Sequence, residues 1–358
     1  MKRRLLSLVL VVVALAAAGL YHWRAPLSVL VVPRFAQERF AAQPLQALAD
    51  GLHVGLCGAG SPFPDPQRSA PCTLVVAGKR LLVFDAGITA APTISRMGFD
   101  PGQIEAVFLT HFHSDHIGGL GEVMLQRWGM GSHTEPLPVY GPIGVKTVVD
   151  GFMQAYRQDH LYRIAHHGPQ VMPPSGFGAQ ARSFAAVGPE RRVVLIDEPD
   201  LQVVAFSVEH SPVEPAVGYR IRYKDRSLVI SGDTRKSAAV QREAAGVDLL
   251  LHEALSPELT ALLGRAAAAA GRNNLVKIFA DIPDYHTTPE QAAEIARDAG
   301  VGYLLLNHIA PPLPIAGLQQ VFLGQAETIY TGSVRVGIDG DFISLPAASK
   351  AIQRSNLL

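Results

Sequence analysis

Between residues 52 and 109 the chain alternates short apolar runs with glycine- and proline-containing turns. The runs LHVGLC, CTLVVAG, KRLLVFDAG and IEAVFLT follow one another with little polar sequence between them. Runs of this length bounded by turn residues predict consecutive β-strands. Apolar or alternating segments from Leu201 to Val208, from Gly218 to Tyr223 and from Ser227 to Ile230 predict further strands.

Helical spacing of apolar positions appears among and after these strands. It predicts helices at Gly119 to Arg127, at residues 145–160, in the alanine-rich stretch 259–271 and in TPEQAAEIARDAG, which Thr288 and Pro289 open. Strands in both halves with helices outside them predict two packed β-sheets covered by helices. We assign residues 50–345 to this domain and residues 346–358 to a C-terminal tail.

The N-terminus has a different pattern. A cationic start precedes an apolar run from Leu5 to Leu20, and Tyr21 and Trp23 follow it. Residues 1–25 therefore predict an export signal or a membrane anchor, and residues 26–49 an amphipathic connector. The run is short for a span of about 20 residues, and its alanines offer a cleavage site, so the signal and the anchor both stay open. A buried core helix is the third alternative. The charge order places the remaining chain outside the cytoplasm, in the periplasm or beyond.

Composition restricts the partners. The 358 residues are 48% hydrophobic, and 31 basic residues balance 31 acidic ones. Such a chain has no general basic field, so nucleic acid is an unlikely partner on this ground; the oligomeric state stays open, with a homodimer possible. The two cysteines, Cys57 and Cys72, lie in the exported part. They are either two buried thiols or a disulfide that stabilises the fold by about 3 kcal/mol.

Candidate chemistry concentrates in THFHSDHIGG, directly after an apolar run. Three imidazoles and a carboxylate within six positions are the donors that zinc accepts. In a strand-to-helix turn, His111 and His113 can face one ion while Asp115 and His116 face a second. The segment therefore predicts a two-metal site.

Further donors lie at strand ends or in loops beside them, most of them after an apolar run, while His286 precedes TTPEQAAEIA. Strand ends are where a rigid scaffold holds scattered ligands. These donors are His210, Asp233, His252, Glu253, His286 and His308.

The motif THFHSDHIGG resembles the HxHxDH signature of the metallo-β-lactamase superfamily. The segments VEHSPVEPAVGYRI, SGDTR, LLLHEA, YHTTPEQAA and LNHIA resemble, in order, later motifs of its ribonuclease Z branch, and the likeness covers residues 52–340. The resemblance implies an α/β (α+β) fold, the four-layer αβ/βα sandwich, and a two-zinc hydrolase, with manganese or iron also compatible. It implies first-zinc ligands His111, His113 and His210, second-zinc ligands Asp115, His116 and His308, and Asp233 as the bridge.

Two zinc ions can share a hydroxide that attacks phosphorus, and Asp115 would aim it. The resemblance makes His286 the residue that stabilises the transition state and protonates the leaving oxygen, while Glu253 would hold its tautomer. His286 also has an alternative role as a helix-start residue beside Thr288. His252 is either a ligand or a residue that orients one.

The substrate is expected to be small. Ribonuclease Z proper carries a tRNA-gripping arm between the strand containing Gly218 and the motif containing Asp233, where this chain has the ten residues IRYKDRSLVI. The resemblance extends to armless, arylsulfatase-like members, which favours a phosphodiesterase acting on small anionic diesters. The alternatives are an arylsulfatase or lactone hydrolase, a tRNA 3′-processing endoribonuclease, and a non-catalytic metal-binding module. Candidate substrate contacts, or else members of a solvated surface patch, are Arg163, His166 and His167.

Overall fold

The computed structural model describes residues 2–185, 188, 191–315 and 317–358, with the side chain of residue 3 left aside. The chain forms two compact units, residues 1–44 and residues 45–358. The second unit contains all of the predicted donors.

The first unit is one long helix, α1 (Lys2–Ala41), with Pro26 and Pro33 inside it. Its segment Arg4–Ala41 is long and apolar enough to cross a membrane, a property that signal sequences near an N-terminus share. The predicted amphipathic connector is thus helical through Ala41, because the apolar sequence resumes at Leu27. A short helix, α2 (Pro44–Ala47), follows.

The second unit is built on two β-sheets. The first has eight strands in the order β15-β14-β1-β2-β3-β4-β5-β6, and the second has seven in the order β13-β12-β11-β10-β9-β8-β7. The strands are β1 (Gly51–Gly58), β2 (Cys72–Ala77), β3 (Arg80–Phe84), β4 (Ile104–Phe108), β5 (Leu137–Pro142), β6 (Ala179–Phe184), β7 (Arg192–Asp197), β8 (Leu201–Ser207), β9 (Val217–Tyr223), β10 (Arg226–Ile230), β11 (Leu249–Leu255), β12 (Tyr303–Ala310), β13 (Ser333–Val336), β14 (Asp341–Pro346) and β15 (Gln353–Asn356).

Helices connect the strands and cover the sheets. The predicted helical stretch 145–160 divides at Tyr156 into two helices. The helices are α3 (Ala90–Arg96), α4 (Ser114–Ile117), α5 (Leu120–Gly131), α6 (Val145–Ala155), α7 (Arg157–His167), α8 (Ala238–Glu243), α9 (Pro257–Ala269), α10 (Asn273–Asp281), α11 (Pro289–Asp298), α12 (Leu318–Leu323) and α13 (Ala326–Ile329).

Three apolar layers hold the second unit together. The central core lies between the sheets, where Val54 and Phe84 of the first meet Val203 and Ile221 of the second. An outer core lies between each sheet and the helices that cover it. Central strands such as β2 are buried on both faces, which is why they appear as continuous apolar runs. The predicted four-layer α/β sandwich is confirmed.

Three connections refine the expectations. The structure joins Cys57 to Cys72 by a disulfide with Cα atoms 4.9 Å apart, since Gly58 pairs with Cys72 across β1 and β2. Strands β9 and β10 are linked by a two-residue turn, so no inserted arm separates them. The residues assigned to a C-terminal tail contain β15, which pairs antiparallel with β14 and so belongs to the folded unit.

Candidate metal centre

The predicted donors converge because their strands end at one edge of the two-sheet core. His111 follows β4, His210 follows β8 and Asp233 follows β10. Strands β10, β11 and β12 run parallel, so their carboxyl ends meet and bring Glu253 and His308 to the same edge. The helix α4 carries Asp115 and His116.

One group of donors combines His111, His113, His210 and Asp233. Their candidate ligand atoms all lie within 4.8 Å of one another. His111 Nε2 is 3.0 Å from His113 Nδ1 and 3.9 Å from Asp233 Oδ2. His210 Nε2 is also 3.9 Å from that oxygen. The spacing suits a single ion among the four residues.

A second group combines Asp115, His116 and His308. Asp115 Oδ2 lies 3.6 Å from His116 Nε2 and 3.4 Å from His308 Nε2. Asp233 Oδ2 lies 3.3 Å and 3.2 Å from the same two nitrogens. The carboxylate of Asp233 therefore lies between the two groups, as expected for a residue shared by two ions.

The residues present fit the metal that the motif implies. The Nε2 atoms of His116 and His210 are buried, and neither has a hydrogen-bond partner among the described residues. A buried polar atom without a partner costs free energy. The remaining ring nitrogens are engaged elsewhere: His116 Nδ1 donates to Asp85 at 2.8 Å, and His210 Nδ1 donates to the Tyr285 carbonyl at 3.0 Å. Both imidazoles thus present a free nitrogen toward the shared carboxylate.

Electrostatics favour cation binding at both groups. Burial lowers the pKa of His111 well below its ordinary value and also lowers the pKa of His210, which keeps both rings neutral and able to act as ligands. Burial opposes ionisation of Asp233, but His308 and His116 outweigh it and hold the pKa of this carboxyl well below its usual range. Burial likewise opposes protonation of His116, yet Asp233 and Asp85 raise its pKa well above the ordinary value. Metal binding at this group therefore displaces a proton.

Asp85 is a residue of the site that sequence reasoning missed. Its carboxylate accepts hydrogen bonds from the Thr110 amide at 2.8 Å, from the Thr110 hydroxyl and from His116 Nδ1. The Thr110 hydroxyl also accepts from His111 Nδ1 at 3.0 Å. Asp85 thus orients donors of both groups. The available signal was its position directly after β3, in the run KRLLVFDAG.

His286 lies beside the cluster and is held by Glu253. Its Nδ1 donates to Glu253 Oε1 at 3.0 Å, and that oxygen also accepts from the amides of Thr287 and Thr234. A ring nitrogen of His286 lies within 4.8 Å of donor atoms of Asp233 and His308. Burial lowers the pKa of His286, but Glu253 opposes it more strongly and raises the pKa to about 9.

The capping of helix α11 does not support the alternative role of His286 as a helix-start residue. Thr288 and Gln291 form the complete capping box of α11, and His286 takes no part in it. His252 is buried on β11, where its Nδ1 donates to the Glu253 carbonyl at 2.8 Å. Among the described residues it belongs to neither donor group, which favours its orienting alternative over its ligand alternative.

The three candidate substrate residues lie apart from the metal donors. Arg163, His166 and His167 are on α7, with both histidines exposed. Arg163 pairs with Asp159 at 2.7 Å. Arg163 and His167 line a groove against α5 that none of the metal donors lines. Because α7 packs on Trp128 and Met172 through Ile164, its basic face points away from the core. This position favours the surface-patch alternative, and a contact of these residues with substrate stays a prediction.

Comparison with known proteins places this geometry in a family. The profile of the Metallo-beta-lactamase superfamily matches residues 65–308. The chain belongs to the metallo-beta-lactamase superfamily. A ribonuclease Z of Mycobacterium avium is 34% identical over 83% of this chain and 100% of that protein. One from Mycolicibacterium gilvum is 34% identical over 80% of this chain and 94% of that protein.

Solved structures share the fold of this superfamily member. The short form of human tRNase Z superposes with a TM-score of 0.59 at 20% identity, covering 82% of this chain and 99% of that one. A metallo-beta-lactamase fold protein from Bacillus subtilis gives 0.58 at 20% identity, covering 83% and 100%. The expected relationship to ribonuclease Z and the expected class, a hydrolase of ester bonds with a His/Asp metal-binding cluster, are confirmed.

Proposed function

We propose that this chain is a two-zinc phosphodiesterase that hydrolyses small phosphate diesters. The observation that supports it most directly is the position of Asp233 Oδ2, 3.2 to 3.9 Å from four imidazoles of two donor groups. One carboxylate can serve two ions because each of its oxygens can bind a metal. Manganese and iron accept the same nitrogen and oxygen donors and are the alternatives to zinc.

The donor residues would form two ligand sets, one for each ion. His111, His113 and His210 would hold one ion, while Asp115, His116 and His308 would hold the other. Bound there, the ions supply Lewis acidity at the phosphoryl oxygen and lower the pKa of water toward neutrality. Asp115 is buried on α4, where its Oδ2 faces His116 and His308, and it would accept a hydrogen bond from the attacking water, which fixes the direction of that water.

His286 supplies the proton that the leaving oxygen needs. Glu253 raises the pKa of this ring to about 9, which favours its protonated form. Glu253 fixes the proton on Nδ1, so the other ring nitrogen faces the cluster and can donate to the leaving oxygen. Glu253 thus acts through His286 and need not touch the substrate.

RNA is the second candidate substrate. The relatives named ribonuclease Z match nearly their whole length, which favours an RNA phosphodiester. The two-residue turn between β9 and β10 and the balanced charge favour a smaller diester. Sulfate esters, lactones and a role as a non-catalytic binding module are further alternatives.

One panel separates these candidates. The zinc-loaded full chain is assayed on bis-p-nitrophenyl phosphate, p-nitrophenyl sulfate, a lactone and a precursor tRNA. We expect the phosphate diester to have the highest kcat/KM. A higher kcat/KM on the tRNA would replace the proposal with RNA processing, and no turnover of any substrate would favour the binding module.

We also propose that helix α1 targets the enzyme to the membrane or across it, so that the hydrolase acts in the periplasm. The support is the apolar segment Arg4–Ala41 and the cationic residues before it. Fractionation and the mass of the mature chain test this proposal. A membrane-bound chain of full mass indicates an anchor, a soluble chain shortened by about 20 residues indicates a cleaved signal, and a full-length cytoplasmic chain contradicts both.

A further inference from the structure

A cleft of about 470 Å³ lies between the disulfide-closed loop, residues 57–72, and the turn at residues 87–89. We call it the loop cleft. Much of its wall is apolar, and Ile88 on its rim is 62% exposed. Its lining includes Pro62, Phe63, Pro66, Ala70, Ile88 and Thr89.

The loop cleft adjoins the metal donors. Ala70 lines it, and the next two residues, Pro71 and Cys72, line the small cavity among His116, Asp233 and His308. The turn on the opposite side packs on α4: a Cβ at Gly118 would lie 2.9 Å from Ile88 Cγ1. The amide of Gly87 donates to the Pro71 carbonyl at 2.9 Å, which joins the two walls.

A third contact connects the loop cleft with the proton donor. The Phe63 ring stacks on Phe279 of α10 with centroids 5.6 Å apart. Helix α10 leads through the 3-10 helix Ile282–Tyr285 directly to His286. The Phe63–Phe279 contact therefore links the wall of the loop cleft to the chain segment that carries His286.

The charged residues of the cleft are already neutralised. Asp65 and Arg68 pair at 3.1 Å, and each side chain is 2% exposed. Arg68 also donates to the Gly337 carbonyl, and Asp65 accepts from the Leu313 amide. With its cation paired and buried, this wall does not favour a phosphate backbone, whereas its prolines, Phe63 and Ile88 favour an apolar group.

We propose that the loop cleft binds an apolar, aromatic leaving group of the phosphodiester substrate. The inference rests on the proposed phosphodiesterase function and names its substrate class. In the reaction, the water oxygen bonds to phosphorus and releases one proton to solvent, the bond from phosphorus to the leaving oxygen breaks, and that oxygen takes the proton that His286 donates. The departing aryl alcohol is neutral and is accommodated by Phe63 and Ile88.

The test compares two methyl aryl phosphates whose phenols have matched acidity, p-nitrophenol and a ring-butylated nitrophenol. Matched acidity removes differences in leaving-group chemistry. For the zinc-loaded full chain, we expect kcat/KM to be about tenfold higher for the butylated diester, because the added alkyl group is buried in the cleft. Ile88→Ser and, separately, Phe63→Ala should reduce this ratio to about one.

The control is Val321→Ser, which exchanges an exposed apolar residue on α12. It should leave the ratio unchanged. Thermal unfolding of each variant confirms folding, and Ile88, being exposed, keeps the test available if Phe63→Ala is unstable. The inference is overturned if the kcat/KM ratio is near one in the wild-type chain, or if Ile88→Ser preserves a tenfold ratio. In both cases the turnover itself still supports the diesterase function. No turnover of either diester overturns both.

Discussion

Glu253 Oε1 accepts hydrogen bonds from both His286 Nδ1 and the Thr287 amide, each at 3.0 Å. One carboxylate oxygen thereby fixes a side chain and the backbone that carries it. The imidazole cannot rotate away from the cluster without breaking the first bond, and its segment cannot shift without breaking the second. The position of the proton donor is thus set from β11, outside the two donor groups.

We expect His286→Ala to lower kcat on a phosphate diester at least about a hundredfold, because the leaving oxygen loses its proton donor. Glu253→Gln should lower kcat about tenfold, since the amide still accepts a hydrogen bond but no longer stabilises the imidazolium. Steady-state kinetics on bis-p-nitrophenyl phosphate measure both effects.

The matched control is Glu258→Gln, the same exchange at an exposed position of α9. It should leave kcat unchanged. Metal analysis must show equal zinc content in all variants, so that lost turnover reports the proton donor. Near-normal kcat in metal-loaded His286→Ala would remove this residue from the mechanism.

Metal stoichiometry should separate the shared carboxylate from the single-group ligands. His210→Ala removes a donor of the first group only, so we expect about one ion per chain to remain. Asp233→Ala removes the oxygen that faces both groups and should weaken both sites. Plasma mass spectrometry after dialysis against dilute chelator gives the counts. If both variants lost the same number of ions, the result would contradict the assignment of Asp233 to both groups and of His210 to one.

Asp85→Asn should weaken metal binding without removing a ligand. The amide keeps the size of the carboxylate but loses the charge that polarises His116, and such changes typically lower affinity about 10- to 100-fold. Competition with a chromogenic zinc chelator measures the affinity. Asp100→Asn, at the exposed residue that precedes the 3-10 helix Pro101–Gln103, is the matched control. An unchanged affinity would assign Asp85 to folding alone.

Reduction of the Cys57–Cys72 disulfide should lower the free energy of unfolding by about 3 kcal/mol, since the bond restricts the unfolded chain. Denaturant unfolding with and without reductant compares identical sequences. The double variant Cys57→Ala with Cys72→Ala should have the same free energy of unfolding with and without reductant. A wild-type chain equally stable in both conditions would show that the bridge does not stabilise the folded unit.

Much of the site could be predicted from sequence because most of its donors follow an apolar run. A strand end is visible locally, and parallel strands bring such ends together whatever the loops between them. Asp85 was missed for the opposite reason. A single acidic residue after a strand resembles any turn residue, and its partner His116 lies 31 positions later.

Other features depend on contacts that no local pattern reveals. The disulfide follows from the register that sets Gly58 opposite Cys72. The exposed position of His166 and His167 depends on which face of α7 packs on Trp128. Strand β15 has the polar sequence QRSN, and it is a strand only because β14 offers free backbone groups.

That last pairing also protects the molecule from self-association. Strand β15 covers the side of β14 that would otherwise present unpaired amides and carbonyls beside Phe342 and Ile343. Its own side chains are exposed and polar, and Arg354 places a charge on the edge, so a second molecule meets an unfavourable template. A chain truncated before residue 353 would keep every metal donor but would expose the unpaired backbone edge of β14. The loss of β15 would therefore appear as aggregation during expression.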